Sequence, residues 1–159
     1  VIESGTFYYC PNLKSVTLSD GLQKIEKNAF YDCMTLKTIT LPESVTEIGD
    51  QAFAGCEALT SLTFPKNVVT IGKGVLDSCS SLKTVVFKQR IADLKDLENW
   101  KTAIFPEDAN PLMQEVWENR VKRFRIDEIH VHPDDVVAFS GLCVHPTEVP
   151  PKIVPLKEF

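Results

Sequence analysis

Apolar residues recur through the first half of the chain at a fixed interval of 23 residues. Four kinds of position repeat at this interval, and each kind forms its own column. The columns are Phe7, Phe30, Phe53 and Leu76; Cys10, Cys33, Cys56 and Cys79; Leu13, Leu36, Leu59 and Leu82; and Val16, Ile39, Leu62 and Val85. A period of about 20 to 50 residues is the signature of a solenoid, so the columns predict one apolar interior shared by stacked coils.

The coil from Ile25 to Gly49 shows the structure expected within one repeat. Its segment L-K-T-I-T-L, residues 36–41, ends in alternating apolar and polar residues, which predicts a strand with one buried face. Pro42 ends that strand, and residues 45–48 predict a second short strand. Residues 28–33 are interpreted as one helical or 3₁₀ turn that joins the coils.

The repeat resembles a known family. Residues 48–71 contain the phrase I-G-x-x-A-F-x-x-C-x-x-L-x-x-L-x-F-P-x-x-V-x-x-I, which is similar to the BspA-like leucine-rich repeats, and the resemblance covers about half of the chain. It implies an α/β repeat fold: a right-handed leucine-rich-repeat solenoid with parallel β-strands and short helical or 3₁₀ turns. It also implies a non-catalytic protein that binds other proteins in adhesion and lies outside the cell or on its surface.

The 23-residue period stops after Phe87, which divides the chain into three parts. Residues 1–87 hold four repeats. In residues 88–125 apolar residues follow three- and four-residue steps, which predicts a helical hairpin inserted into the solenoid. Residues 126–159 return to repeat-like strands, beginning with the phrase I-x-x-I-x-V at residues 126–131, and finish in a partial terminal coil.

Charge and hydropathy exclude some classes of partner. The 159 residues carry a net charge of −5, whereas a nucleic-acid-binding protein would need a basic surface. No apolar run reaches the roughly 20 residues that span a membrane. The chain opens within a coil at Val1 and shows no signal peptide, so we expect it to be part of a longer protein whose export signal lies elsewhere.

Outward positions of the main strands form the candidate binding surface. The candidate residues are Lys14, Ser15, Thr17, Lys37, Thr38, Thr40, Thr60, Ser61, Thr63, Lys83 and Thr84. Hydroxyl groups both donate and accept hydrogen bonds, so this surface suits a protein or glycan ligand. The family resemblance implies adhesion to host proteins, with host extracellular matrix as a partner. Threonine also favours any solvated strand, which leaves a structural spacer in a larger surface protein as the alternative.

Candidate chemistry beyond binding is sparse. His130 and His132 alternate along a predicted strand, and His145 could join them, so a metal site is a third hypothesis. We expect no catalytic residues and no cofactor, because the sequence has neither a G-x-S-x-G motif nor a phosphate-binding loop. The four regularly spaced cysteines are predicted to be reduced, buried thiols rather than disulfides.

Overall fold

The computed structural model describes residues 1–95, 126–135 and 152–157. These residues form short strands and two 3₁₀ turns, Ile91–Asp93 and Pro133–Asp135. The strands are β1 Ser15–Val16, β2 Lys24–Ile25, β3 Thr38–Ile39, β4 Glu47–Ile48, β5 Ser61–Phe64, β6 Thr70–Ile71, β7 Thr84–Phe87, β8 Glu128–Val131 and β9 Lys152–Pro155.

All of these strands pair in parallel, and they form two separate runs. One run contains the sheets β1-β3 and β5-β7-β8-β9, and the other is the sheet β2-β4-β6. Pairing follows the repeat, since Ser15 lies beside Thr38 and Ile25 beside Ile48. The fold is therefore a parallel-strand β-solenoid, as the 23-residue period predicts.

The core is built from the columns that the sequence predicts. Phe30 and Phe53 are fully buried, and their rings stack with centroids 5.3 Å apart. Phe7 continues the stack at 4.9 Å from Phe30, while Phe64 and Phe87 form a second stack at 4.9 Å. Buried residues from strands and turns join one apolar cluster, because each coil covers the inward side chains of the next.

The segment that joins the two strand runs differs from the prediction. Residues 28–33 form consecutive turns and not a helix, because Asn28 and Asp32 have φ of 58° and 55°, in the left-handed region. Alternate N–H groups therefore leave the coil: Phe30 N–H donates to Ala52 O of the next coil at 2.8 Å. The intervening N–H groups donate to the carbonyl three residues back. The predicted helical turn is wrong here.

The predicted break in the repeat does not interrupt the main sheet. β8 pairs directly with β7, with Val85 beside Ile129, so the chain re-enters the solenoid on the next coil. The described part of the predicted insertion contains the 3₁₀ turn Ile91–Asp93. The rest of the predicted helical hairpin falls on residues 96–125, outside the described residues, so the hairpin and the boundaries at residues 88 and 125 stay predictions.

Arg90 joins the loop after β7 to the 3₁₀ turn after β8. Its Nε lies 3.3 Å from both carboxylate oxygens of Asp135, and its terminal nitrogen lies 3.1 Å from Oδ2 of Asp134. Asp135 is buried, so this charge-assisted contact satisfies a carboxylate that burial would otherwise penalise. The contact helps to position β8 beside β7.

Candidate functional site: the exposed sheet face

We use the name sheet face for the outward side of the run that contains β1, β3, β5, β7, β8 and β9. Its side chains form columns because backbone hydrogen bonds fix the register of neighbouring coils. Lys37 N–H donates to Lys14 O at 3.3 Å, and Lys83 N–H donates to Thr60 O at 2.9 Å. The lysine-rich column of the prediction therefore lies immediately before the strands.

The two hydroxyl columns are also in register. Ser15 lies beside Thr38 in one sheet, and Ser61 lies beside Thr84 in the other. Most predicted site residues are solvent-exposed, and Thr63 and Thr84 are half-buried. The exposed members are Lys14, Ser15, Thr17, Lys37, Thr38, Thr40, Thr60, Ser61 and Lys83. The predicted residues thus lie on one surface in the order that the repeat implies.

Hydroxyl groups on the sheet face differ in their contacts from hydroxyl groups elsewhere. Away from this face, Thr35 Oγ1 donates to Pro11 O at 2.7 Å, and Ser44 Oγ donates to Leu22 O at 2.8 Å. Thr46 Oγ1 likewise donates to a carbonyl of the preceding coil. Within residues 1–95, no serine or threonine hydroxyl of the sheet face makes a hydrogen bond to protein. Those hydroxyls therefore keep their full donor and acceptor capacity for water or a ligand.

Lys14 and Lys37 on the sheet face differ from lysines elsewhere in the repeats. Lys24 lies 3.6 Å from a carboxylate oxygen of Glu47, and Lys88 Nζ lies 2.6 Å from Glu43 Oε1. The Lys88 ammonium group, as a hydrogen-bond donor, lowers the pKa of Glu43 below its usual value. Among the described residues, no carboxylate lies within ion-pair distance of Lys14 or Lys37.

The sheet face extends further than the predicted site residues. In β8, Glu128 lies beside Thr84 and His130 beside Val86, and β9 adds Lys152 and Val154. His130 Nε2 lies 3.0 Å from Glu128 Oε2, so the imidazole and the carboxylate share a hydrogen bond. Their common outward direction could have been found from the strand phrase at residues 126–131, which the sequence aligns with the earlier repeats.

The histidine hypothesis finds no cluster in the described structure. His130 contacts Glu128, whereas His132 Nδ1 accepts a hydrogen bond from the Asp134 N–H at 3.3 Å. In residues 1–95, 126–135 and 152–157, no group of three or more His, Cys, Asp or Glu side chains is arranged to hold a metal ion. His145 lies outside the described residues, so its part in the hypothesis stays untested.

The cysteine column is part of the core and not of the site. Cys33 Sγ donates to Phe7 O and Cys79 Sγ to Phe53 O, each at 3.1 Å, and both thiols are free. Burial raises the pKa of Cys33 to about 11 and that of Cys79 to about 12. These thiols stay protonated and unreactive at neutral pH. The prediction of reduced, buried thiols is confirmed for Cys33, Cys56 and Cys79, whereas Cys10 is free but only partly buried.

One group of exposed aromatic residues escaped the sequence analysis. Tyr8 and Tyr9 are 54% and 58% exposed, and the ring of Tyr8 stacks on Tyr31 with centroids 5.2 Å apart. They lie in the turns that join the two strand runs, away from the sheet face. The 23-residue interval between Tyr8 and Tyr31 was the signal that could have revealed their stacking.

A family profile for the BspA type leucine rich repeat region matches residues 1–119 in six copies. The chain belongs to this family. The match reaches into the segment that the sequence analysis assigns to an insertion, and it covers most of the chain. No curated protein matches the chain as a relative. The described part of the structure has no helix that is long and apolar enough to span a bilayer.

Solved structures with similar folds come from bacteria. A leucine-rich repeat protein from Bacteroides ovatus is 33% identical over 52% of this chain and 21% of that chain, with a TM-score of 0.50. A leucine rich cell surface protein from Faecalibacterium prausnitzii is 28% identical over 67% of this chain and 26% of its own, with a TM-score of 0.53. The match to the pneumococcal vaccine antigen PcpA covers 98% of this chain and 38% of that chain, with 19% identity and a TM-score of 0.57. At this identity the likeness shows the fold alone. This chain spans between 21% and 38% of the lengths of these three proteins.

Proposed function

We propose that this chain is a non-catalytic binding module of an extracellular or cell-surface protein and that it recognises a protein partner, in adhesion, through the sheet face. The observation that carries the proposal is the difference in hydroxyl contacts. Hydroxyls such as those of Thr35 and Ser44 connect coils, while those of the sheet face make no hydrogen bond to protein within residues 1–95. Polar groups that the fold does not use are available to a partner.

The family assignment supports binding over other roles. Repeat solenoids present extended surfaces of regularly spaced side chains, and these surfaces are their usual binding sites. The similar Faecalibacterium prausnitzii structure is that of a leucine rich cell surface protein, which supports the same location here. Extracellular matrix of a host is the partner that this combination of location and surface favours.

The geometry of the sheet face makes it a pre-organised surface. Backbone hydrogen bonds such as Lys83 N–H to Thr60 O hold its strands at a fixed spacing, so little backbone entropy is lost on binding. Many of its residues have short hydroxyl side chains, and Ser61, Thr63 and Thr84 lie on the paired strands β5 and β7 in the middle of the run. Short hydroxyl side chains lose little rotamer freedom on binding, so many weak contacts can add up.

A triple substitution tests the proposal. Ser61→Glu, Thr63→Glu and Thr84→Glu together add three negative charges and bulk to the centre of the face. We expect the fluorescently labelled variant to lose binding to decellularised mammalian matrix and to cultured epithelial cells. A matched control carries three Ser→Glu changes outside the strands, at Ser19, Ser80 and Ser81, all exposed. Circular dichroism should show that both variants keep the fold.

Two results would count against this function. If both triple variants bind like the unmodified protein, the sheet face is not the binding surface. If the unmodified protein binds neither matrix nor cells, the spacer function gains, because a spacer needs a rigid solenoid and no partner.

A further inference from the structure

We propose that the part of the sheet face around β1 and β3 binds a linear acidic polysaccharide, one that carries carboxylate or sulfate groups, along the solenoid axis. The proposal rests on the sheet face being the binding surface, and it adds the chemistry of one ligand. The site consists of two stacked lysines and two short rows of hydroxyls. Its members are Lys14, Ser15, Thr17, Lys37, Thr38 and Thr40.

Lys14 and Lys37 give the site a positive charge that no carboxylate among the described residues neutralises. They lie on successive coils, joined by the hydrogen bond from Lys37 N–H to Lys14 O, so their charges are about one strand spacing apart, roughly 4.8 Å at the backbone. Like charges on neighbouring strands destabilise a sheet. Glu26 and Glu47 lie close to Lys24 and Glu43 lies close to Lys88, whereas Lys14 and Lys37 have no carboxylate within ion-pair distance in these parts of the chain. An anionic ligand would remove the repulsion.

The adjacent hydroxyls suit sugar hydroxyl groups. Ser15 lies beside Thr38 in the register of β1 and β3, and Thr17 and Thr40, each directly after its strand, are also exposed. Each hydroxyl can donate one hydrogen bond and accept two, and sugars present the same kind of group. A pyranose ring advances a glycan by about the distance between neighbouring strands. Successive sugars can therefore lie over successive coils.

An acidic peptide fits this part of the face less well. An extended peptide repeats its side chains on one side every two residues, or about 6.6 Å, which does not match the strand spacing of about 4.8 Å. Protein partners also tend to use aromatic or other large apolar anchors. The site from Lys14 to Thr40 presents lysine and hydroxyl side chains on its outward positions and no aromatic residue.

The first test compares four soluble polymers by biolayer interferometry with immobilised protein. We expect binding to heparin and hyaluronate, and none to neutral dextran. The variant Lys14→Gln with Lys37→Gln should bind these acidic polysaccharides roughly fivefold or more weakly, since each exposed charge contact contributes a modest factor. The control variant Lys27→Gln with Lys73→Gln makes the same change in charge at exposed lysines in the turns, and we expect it to bind normally. The fourth polymer, polyglutamate, supplies negative charge without sugars.

A second variant tests the hydroxyls separately from the charge. Thr17→Val with Thr40→Val removes two hydroxyls, keeps the β-branched shape and leaves the net charge unchanged. We expect weaker binding to the acidic polysaccharides and no change in thermal stability beyond about 2 °C, because exposed substitutions of this kind have small effects on stability. If binding of this variant is unchanged, the hydroxyl part of the proposal is wrong.

Other outcomes overturn the whole acidic polysaccharide proposal. They can be distinguished from failure of the proposed function. The proposal is overturned if the unmodified protein binds neither heparin nor hyaluronate. It is also overturned if polyglutamate binds equally well, which would indicate an acidic peptide, or if the turn control weakens binding as much as the Lys14 and Lys37 changes. The triple glutamate variant at Ser61, Thr63 and Thr84 tests the sheet face independently in matrix and cell binding.

Discussion

Replacing Phe53 tests whether the stacked columns are what holds the solenoid together. The ring is fully buried and stacks on Phe30 at 5.3 Å, and the column continues to Leu76 in the next coil. Phe53→Ala removes the transfer free energy of the ring and leaves a cavity, together about 3–5 kcal/mol. It also removes an aromatic stack of about 0.5–1.5 kcal/mol, part of which the first range already contains. We therefore expect a loss of about 4 kcal/mol in the free energy of unfolding.

The chain itself suggests the matched variants for this experiment. Ala52 and Phe53 in one coil become Val75 and Leu76 in the next, so one side chain grows where its neighbour shrinks. Phe53→Leu alone should cost about 1–2 kcal/mol through underpacking, and Ala52→Val alone about 1–3 kcal/mol through overpacking. Because all four residues are buried, the double variant should cost less than the sum by at least about 0.5 kcal/mol.

Urea unfolding followed by circular dichroism measures these differences. With a slope of about 2 kcal/mol/M, the Phe53→Ala change should move the midpoint by about 2 M. The midpoints can be compared only if the free energy of unfolding depends on urea concentration with the same slope in every variant, since repeat proteins can unfold in more than one step. Two results would refute the reasoning: a Phe53→Ala midpoint shifted by less than about 0.5 M, or additive costs in the double variant. Either would mean that the phenylalanine column does not determine the packing.

Three further predictions concern the coil contacts and the charged groups. Gly72→Ala should cost about 1–3 kcal/mol in urea unfolding, because a Cβ there would lie 2.3 Å from a backbone nitrogen of the preceding coil. Cys33 and Cys79 should resist a thiol-specific reagent at pH 8 in the folded protein and react in urea, since burial raises their pKa values to about 11 and 12. Finally, the lowered pKa of Glu43 means that its contribution to stability is present above its unfolded pKa and is lost as pH falls through its folded pKa. Thermal melts at pH 7 and pH 3 measure the stability that is lost on acidification. Lys88→Gln should make this loss smaller by well under 1 kcal/mol, because the Lys88–Glu43 pair is exposed.

The sequence predicts the strand runs well because each depends on a local alternation that the repeat multiplies. The pattern predicts a second short strand over residues 45–48, and the structure has β4 at Glu47–Ile48. The return of the chain at residues 126–131 was expected from one phrase, and β8 lies in the predicted register with Ile129 beside Val85. In both places the buried face of a strand fixes its register, so the apolar pattern is sufficient.

The turns between the runs could not be predicted in the same way. Their conformation depends on left-handed φ values at positions such as Gln51 and Ser78, where the side chain gives little warning. Glycine or asparagine would indicate such a conformation, and the chain uses them at only some of the equivalent positions, including Gly74 and Asn28. The hydrogen bonds to the next coil compensate for this backbone strain, and contacts of that kind are not visible in a single repeat.

For the candidate site too, the sequence pattern predicts some features and three-dimensional contacts decide the others. The alternation within the repeated strands identified the hydroxyl columns and the lysines, and the structure places them on one face. The pattern does not show that the hydroxyl of Thr35 joins coils while that of Thr38 faces solvent, because hydrogen-bond partners in another coil are not visible in one repeat. That distinction comes from three-dimensional contacts, and it is what separates a structural threonine from a candidate ligand contact.

The regular spacing of the sheet face also predicts how its binding energy is distributed. Ser15 and Thr38 occupy equivalent places on neighbouring coils, as do Ser61 and Thr84, so no single hydroxyl is placed to dominate. A ligand that contacts several coils then gains from many modest hydrogen bonds, each worth about 1 kcal/mol or less. Single substitutions on this face should therefore have small effects, while combined substitutions along one column should have effects that grow with the number of coils changed. A single residue whose removal abolished binding would instead indicate a pocket with a dominant anchor, which is a different kind of site from a repeated surface.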